Sequence, residues 1–177
     1  MIFSIAMLED YRRYPIGIQN FQQLRNNDCV YVDKTELVYR LTHTDRVYFL
    51  SRPRRFGKSL LISMLAHYYD RTKANRFEEL FGGTWIGEHP TKEHNQYMVI
   101  RYDFSAMVMA NDMEGLAKNF DALNCSPVEI MVKHNRDLFG DFQFTNWGNA
   151  FQMLEEALAY IRLYGLPKAY ILIDEYD

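Results

Sequence analysis

Short β-rich runs alternate with helical patterns along this chain, and this alternation most strongly limits the folds available to it. The runs are DRVYFLS at 45–51, QYMVIRYDFS at 96–105 and AYILIDE at 169–175. The stretches KSLLISMLAHYYD and NWGNAFQMLEEALAYIRLYG instead carry apolar residues at helical spacing. Strands that alternate with helices form parallel sheets covered by helices on both faces. The sequence therefore predicts an α/β fold with a mainly parallel sheet.

Smaller elements are predicted between these runs. Residues 30–32 read as a short strand, followed by a helix from Asp33 or Lys34. FEELFGG at 77–83 indicates a short helix that ends at its two glycines. A further helix is predicted to begin after Asn111, to break at Ser126-Pro127 and to restart there.

Length and composition bound the class of protein. The chain has 177 residues, 48% hydrophobic and 24% charged, which is typical of a folded domain. A net charge of −3 argues against coating nucleic acid by bulk charge but leaves room for a local basic site. Cys29 and Cys125 have no metal-ligand spacing and indicate free thiols. No run is long enough to span a membrane, and the N-terminus lacks a signal-peptide pattern, so we expect a cytoplasmic protein.

A basic stretch, SRPRRFGKSLL at 51–61, lies between a predicted strand and a predicted helix. It contains Gly57, Lys58 and Ser59. A helix N-terminus offers unpaired N–H groups and partial positive charge, so it suits phosphate. Lysine can reach the outer phosphates, and a serine hydroxyl can ligate Mg²⁺. Arg52 replaces the first glycine of the usual G-x-x-x-x-G-K-[ST] pattern, so the start of the loop should differ in shape.

Asp174 and Glu175 directly follow the apolar run YILI. A carboxylate at the carboxyl end of a buried parallel strand lies beside the crevice where α/β sheets bind ligands. In a nucleotide site the aspartate would hold Mg²⁺, directly or through water, and the glutamate would orient or deprotonate the attacking water. Each motif alone is weak, but together and in this order they predict a site for ATP and Mg²⁺.

Asp33, Lys34 and Thr35 precede the predicted phosphate-loop strand and allow two interpretations. They could approach the nucleotide, or Asp33 or Thr35 could cap the N-terminus of the next helix. We favour the helix cap.

Four blocks of the sequence resemble the AAA-ATPase-like proteins of bacteria: YVDKT (31–35), RPRRFGKS (52–59), FEELFGG (77–83) and LIDEYD (172–177). The resemblance runs from about Tyr14 to the last residue. In that family an N-terminal P-loop ATPase domain is often followed by a PD-(D/E)XK nuclease-like domain. The family's loop is itself arginine-rich, so Arg52 is a family variant. The resemblance implies a P-loop NTPase-type three-layer sandwich, with residues 1–177 forming a single domain.

The resemblance also implies roles for individual residues. Glu175 would be catalytic, and Ser59 and Asp174 would hold Mg²⁺. The nucleotide would be bound by Arg54, Arg55, Phe56, Gly57, Lys58, Ser59 and Leu60. Arg54 and Arg55 could instead face a nucleic-acid or protein partner, or form a solvated basic loop.

The position of the acidic motif close to Asp177 leads to a further expectation. In ATPases with this acidic pair, a fourth strand usually lies between the phosphate-loop strand and the acidic strand. We therefore expect the sheet to be truncated after its third core strand and the chain to be an incomplete N-terminal fragment. Either the acidic strand pairs directly with the phosphate-loop strand, or stability is poor. The chain alone should be a weak or inactive ATPase.

Other functions remain open at this point. One is a nucleotide-dependent switch or interaction module without useful hydrolysis, and another is an inactive remnant. A nucleoside or small-molecule kinase is less well supported, because such enzymes usually lack this acidic pair and need a mobile lid. The oligomeric state is not indicated.

Overall fold

The computed structural model describes residues 12–42, 47–51 and 56–175. The helices in this part are α1 (Phe21–Asn26), α2 (Glu36–Thr42), α3 (Lys58–Tyr69), α4 (Phe77–Phe81), α5 (Trp85–Glu88), α6 (Met113–His134), α7 (Arg136–Phe139) and α8 (Ala150–Leu163). The strands are β1 (Met98–Asp103) and β2 (Ala169–Asp174), and 3-10 helices cover Arg71–Arg76 and Phe104–Ala106. None of the described helices is long and apolar enough to cross a membrane.

Strands β1 and β2 form a parallel pair, with Met98 opposite Ala169 and Asp103 opposite Asp174. They are the two strands of the sheet in the described ranges. Helices α6, α7 and α8 lie between them in the chain, as a parallel crossover requires. The predicted mixed α/β fold with parallel strands is thus confirmed, and the MVI and YILI runs are the strands that pair.

The two faces of this sheet pack against different helices. Met98, Ile100 and Tyr102 of β1 join the hydrophobic cluster formed with α6 and α8. On the opposite face, Leu172 joins the cluster that includes α3. Each large apolar side chain that is fully buried in this way contributes about 1.5–3 kcal/mol.

Helix α3 runs antiparallel to the strands. Its C-terminus lies at the start of β1, where the Arg71 N–H donates to Tyr97 O at 2.9 Å. Its N-terminus lies at the other end, where the Ser59 hydroxyl contacts Asp174 at the end of β2. The fold therefore brings the start of α3 to the carboxyl end of β2.

The prediction for α6 was wrong in two details. Asp112, not Asn111, is the N-cap, and its side chain accepts a hydrogen bond from the Gly115 N–H. The helix also continues through Pro127 instead of breaking there. A proline inside a helix costs about 3 kcal/mol. Val128 and Met131, which are buried against β1, supply apolar burial that offsets this cost.

The strand predicted over DRVYFLS is not found in residues 47–51, and β2 pairs with β1 instead of with this segment. A buried strand is stabilised by backbone pairing and by burial of its apolar side chains. Val47 and Phe49 are 86% and 77% exposed, so that burial is missing here. Of the two alternatives given for a truncated sheet, direct pairing of β2 with the predicted phosphate-loop strand is not found in residues 47–51.

Most of the other predicted elements are present. The helices after Asp33, after the basic turn, at FEELF and before Gly165 are confirmed as α2, α3, α4 and α8. Residues 30–32 form no strand, although the neighbouring Cys29 makes an isolated bridge with Arg13. The short helices α1 and α5 were not predicted. Both begin after a side-chain cap, Asn20 for α1 and Thr84 for α5.

Asn95 holds the C-terminal end of α3. Its side-chain amide donates to His67 O at 3.3 Å and to Asp70 O at 2.7 Å, and its backbone N–H donates to Tyr68 O at 2.8 Å. Asn95 is buried and has a φ of 53°, in the left-handed region. One residue thus satisfies several carbonyls that a helix end leaves without intrahelical donors.

Replacing Asn95 with glycine is expected to lower the free energy of unfolding by about 1–3 kcal/mol, because two carbonyls lose their side-chain donor. Alanine should cost roughly 1 kcal/mol more than glycine, because a Cβ disfavours the left-handed conformation. Equilibrium unfolding in urea measures both changes, and Gln96→Ala at the exposed neighbouring position is the control. If alanine proved no worse than glycine, the backbone part of this explanation would be wrong.

Candidate functional site

The site is built on the start of α3. Gly57 is the N-cap residue, with a φ of 78° that favours glycine, and its carbonyl accepts from the Leu61 N–H at 3.0 Å. Gly57 has no side chain and therefore makes no side-chain capping bond to the helix. The first-turn N–H groups lie at the positive end of the helix dipole.

Ser59, in the first turn of α3, meets the end of β2. Its hydroxyl donates to Asp174 Oδ1 at 3.3 Å, although the two residues are 115 positions apart. This contact exists because α3 packs on the face of β2 toward which Leu172 and Asp174 point. The structure thus brings together the two motifs that the sequence analysis linked.

Asp174 is an acid in a buried position, with 3% of its surface exposed. Its Oδ2 accepts from Arg101 Nη2 at 3.2 Å, and the two side chains form a salt bridge. Its Oδ1 also accepts from the Glu175 N–H at 3.2 Å. Both carboxylate oxygens are therefore hydrogen-bonded, which is what a buried charge requires.

The remaining predicted residues divide into described and undescribed ones. Lys58 and Leu60 are half-buried in the first turn of α3, whereas Phe56 is exposed before it. Glu175 is exposed directly after β2 and has a φ of 52°. Arg52, Arg54 and Arg55 lie outside the described residues.

Sequence reasoning missed two charged residues near this site, Arg101 and Asp103 of β1. Asp103 lies opposite Asp174 in the strand register, at the same end of the sheet. Hydrogen bonding from Ser105 holds the pKa of Asp103 below its usual value, and the charge of Arg101 acts in the same direction. The sequence feature that could have indicated these two residues is a charged residue inside the apolar run YMVIRYDF, followed by an acidic residue near the end of that run.

Asp33 has the capping role that we favoured, and both Asp33 and Thr35 accept hydrogen bonds from the first turn of α5. Asp33 accepts from the Thr35 N–H at 2.8 Å at the start of α2. Its second oxygen accepts from the Trp85 N–H at 2.7 Å, and Thr35 Oγ1 accepts from the Ile86 N–H at 3.0 Å. These bonds fix the start of α5 against the start of α2.

The Ser59 and Asp174 oxygens fit a magnesium ion. Mg²⁺ prefers octahedral oxygen ligands at about 2.1 Å, so adjacent ligand oxygens lie about 3 Å apart. The separation of 3.3 Å between Ser59 Oγ and Asp174 Oδ1 is close to that spacing. Mg²⁺ usually takes one or two protein ligands and completes its shell with water and phosphate, so this pair would suffice.

Comparison with known proteins places the chain in a family. Residues 15–177 match the family described as predicted AAA-ATPase. The chain is also 33% identical over 178 residues to an uncharacterized protein in the vnfD 5' region of Azotobacter chroococcum mcd 1. That alignment covers 94% of this chain but only 29% of the relative. No solved structure matches the chain significantly.

The fold belongs to the mixed α/β class, with a parallel strand pair whose acidic end meets the start of a helix. Within that class, the chain belongs to the AAA-ATPase-like family, whose match includes both the GKS and the LIDE motifs. The resemblance noted from the sequence is therefore confirmed at the level of the family.

Proposed function

We propose that this chain binds ATP at the start of α3 and is the ATP-hydrolysing core of its protein. The observation that carries the proposal is the hydrogen bond between Ser59 and Asp174. It joins the N-terminus of a helix that follows a glycine to the end of a strand that carries an acidic residue. A site for nucleotide and Mg²⁺ needs both parts. Membership of the predicted AAA-ATPase family supports the same function.

Each residue has a defined role in the proposed reaction. The first-turn N–H groups of α3 bind the phosphates, and the Lys58 ammonium adds positive charge beside them. Ser59 and Asp174 hold Mg²⁺, which when bound neutralises charge on the phosphate oxygens. Glu175, exposed at the end of β2, orients the attacking water and accepts its proton.

The fold in this proposal is a three-layer P-loop sandwich. Its layers would be α3 on one face of the sheet, the parallel strands, and α6 with α8 on the other face. The described pair of β1 and β2 would be two neighbouring strands of that sheet. Arg54 and Arg55, in the proposed loop, would add positive charge near the phosphates.

Two measurements test the proposal. Calorimetry measures the binding of ATP to the purified protein with and without Mg²⁺, and a second assay measures the release of phosphate. We expect saturable binding that is tighter with Mg²⁺ than with excess EDTA. Absence of ATP binding under both conditions would overturn the proposal.

A further inference from the structure

Arg101 lies in the same corner of the molecule as Ser59 and Asp174. It is in the middle of β1, between Ile100 and Tyr102, which point to the opposite face and are buried there. Its side chain is 33% exposed, and its Nη2 lies 3.2 Å from Asp174 Oδ2. A charged side chain in such a strand needs a reason beyond packing, because burial of charge is costly.

The contact with Asp174 supplies part of that reason. The Asp174 side chain is only 4% exposed, so its negative charge needs a nearby cation or strong donors. Among the described residues, Arg101 makes the salt bridge to this carboxylate. Without a metal ion, the guanidinium is therefore the counter-charge of Asp174.

The guanidinium is not fully satisfied by this arrangement. Its Nε is buried and has no hydrogen-bond partner within the described part of the chain. A buried donor without a partner costs about 1–3 kcal/mol. The salt bridge therefore holds Asp174 in an arrangement that leaves Arg101 incompletely bonded.

We propose that Arg101 is a positioning residue that holds Asp174 when the site lacks Mg²⁺ and competes with Mg²⁺ for its carboxylate. This inference rests on the proposed ATP site. The carboxylate lies between Arg101 Nη2 on Oδ2 and Ser59 Oγ on Oδ1. A divalent cation at the Ser59 side and a guanidinium at 3.2 Å would both draw on one negative charge and would repel each other. Arg101 thus opposes the binding of Mg²⁺ and raises the Mg²⁺ concentration that is needed to half-fill the site.

The test is a Mg²⁺ titration of Arg101→Gln, wild type and the control Arg162→Gln, whose arginine is exposed on α8. A slowly hydrolysed ATP analogue is kept at a saturating concentration, and Tm is followed as Mg²⁺ is added. We expect the half-saturating Mg²⁺ concentration to fall about tenfold in Arg101→Gln. Its Tm should be lower than that of wild type without Mg²⁺, and its gain in Tm on adding Mg²⁺ should be larger.

A merely structural role for Arg101 gives a different result, since Tm would then fall equally at every Mg²⁺ concentration. If wild type responds to Mg²⁺ and the analogue, an unchanged or higher half-saturating Mg²⁺ concentration in Arg101→Gln overturns the inference about Arg101. The proposed ATP site would be unaffected by that result. If wild type itself shows no response, the proposed function fails instead. Arg101→Lys keeps the positive charge but loses the planar guanidinium. Its half-saturating Mg²⁺ concentration should therefore lie between those of wild type and Arg101→Gln. That variant tests the inference even if Arg101→Gln does not fold.

Discussion

The Lys58→Ala variant is expected to lose ATP binding almost completely. Lys58 is the first residue of α3, directly after the Gly57 cap. In the proposed site its ammonium lies beside the outer phosphates. Loss of one charged partner of a phosphate contact costs about 2–5 kcal/mol, which is roughly 30-fold to 5,000-fold in Kd. Calorimetric titration with Mg²⁺ and ATP measures the change directly.

Two comparisons separate this effect from a loss of structure. Alanine is the best helix former, so α3 should stay folded and the urea unfolding curve should change little. Lys133→Ala removes an exposed lysine from α6, on the other side of the sheet, and should bind ATP like wild type. ATP affinity in Lys58→Ala within about threefold of wild type, well below the 30-fold loss expected for a phosphate contact, would exclude Lys58 as a phosphate ligand.

The sequence predicted well those elements whose signal is local. Helix α8 has a clear amphipathic pattern, an asparagine cap and a glycine after its end, and it was found at Ala150–Leu163. Strands β1 and β2 were indicated by apolar runs with bounded ends. In these segments the local preference and the tertiary packing favour the same structure.

The secondary-structure predictions were wrong where tertiary packing overrides the local preference of the sequence, and where the packing that a predicted element needs is missing. Pro127 predicted a break, but burial of Val128 and Met131 against β1 keeps α6 continuous. Residues 47–51 have high strand propensity, yet Val47 and Phe49 are exposed and the segment is no strand. A strand depends on neighbours that are distant in sequence, so its own residues cannot guarantee it.

The site was predictable in part for a similar reason. Ser59 and Asp174 could be linked because known chemistry requires both in one place, and the structure brings their oxygens within 3.3 Å. Arg101 could not be linked from the sequence, because its contact with Asp174 follows from the register of β1 against β2. That register is a tertiary property, and no local pattern encodes it.

The Glu175→Gln variant is expected to bind ATP like wild type and to lose hydrolysis. Glu175 lies after the last residue of β2 and its side chain is exposed, so the substitution should not disturb the core. Glutamine keeps the size of the side chain but cannot accept a proton from water. Loss of a general base typically lowers the rate by about 10²–10⁴-fold. Phosphate release measured at saturating ATP and Mg²⁺, in a form of the protein with measurable turnover, tests this.

This variant also separates the two functions that the sequence left open. A nucleotide-dependent switch needs binding at α3 but no base, so Glu175→Gln would then leave every measurable property unchanged. An ATPase would keep its Kd and lose its turnover. Glu155→Gln, at an exposed position on α8, is the matched control and should retain full activity. Equal turnover in Glu175→Gln and Glu155→Gln would remove Glu175 from the reaction. The switch would instead be favoured if wild type and Glu175→Gln bound ATP with the same Kd and neither released phosphate above background.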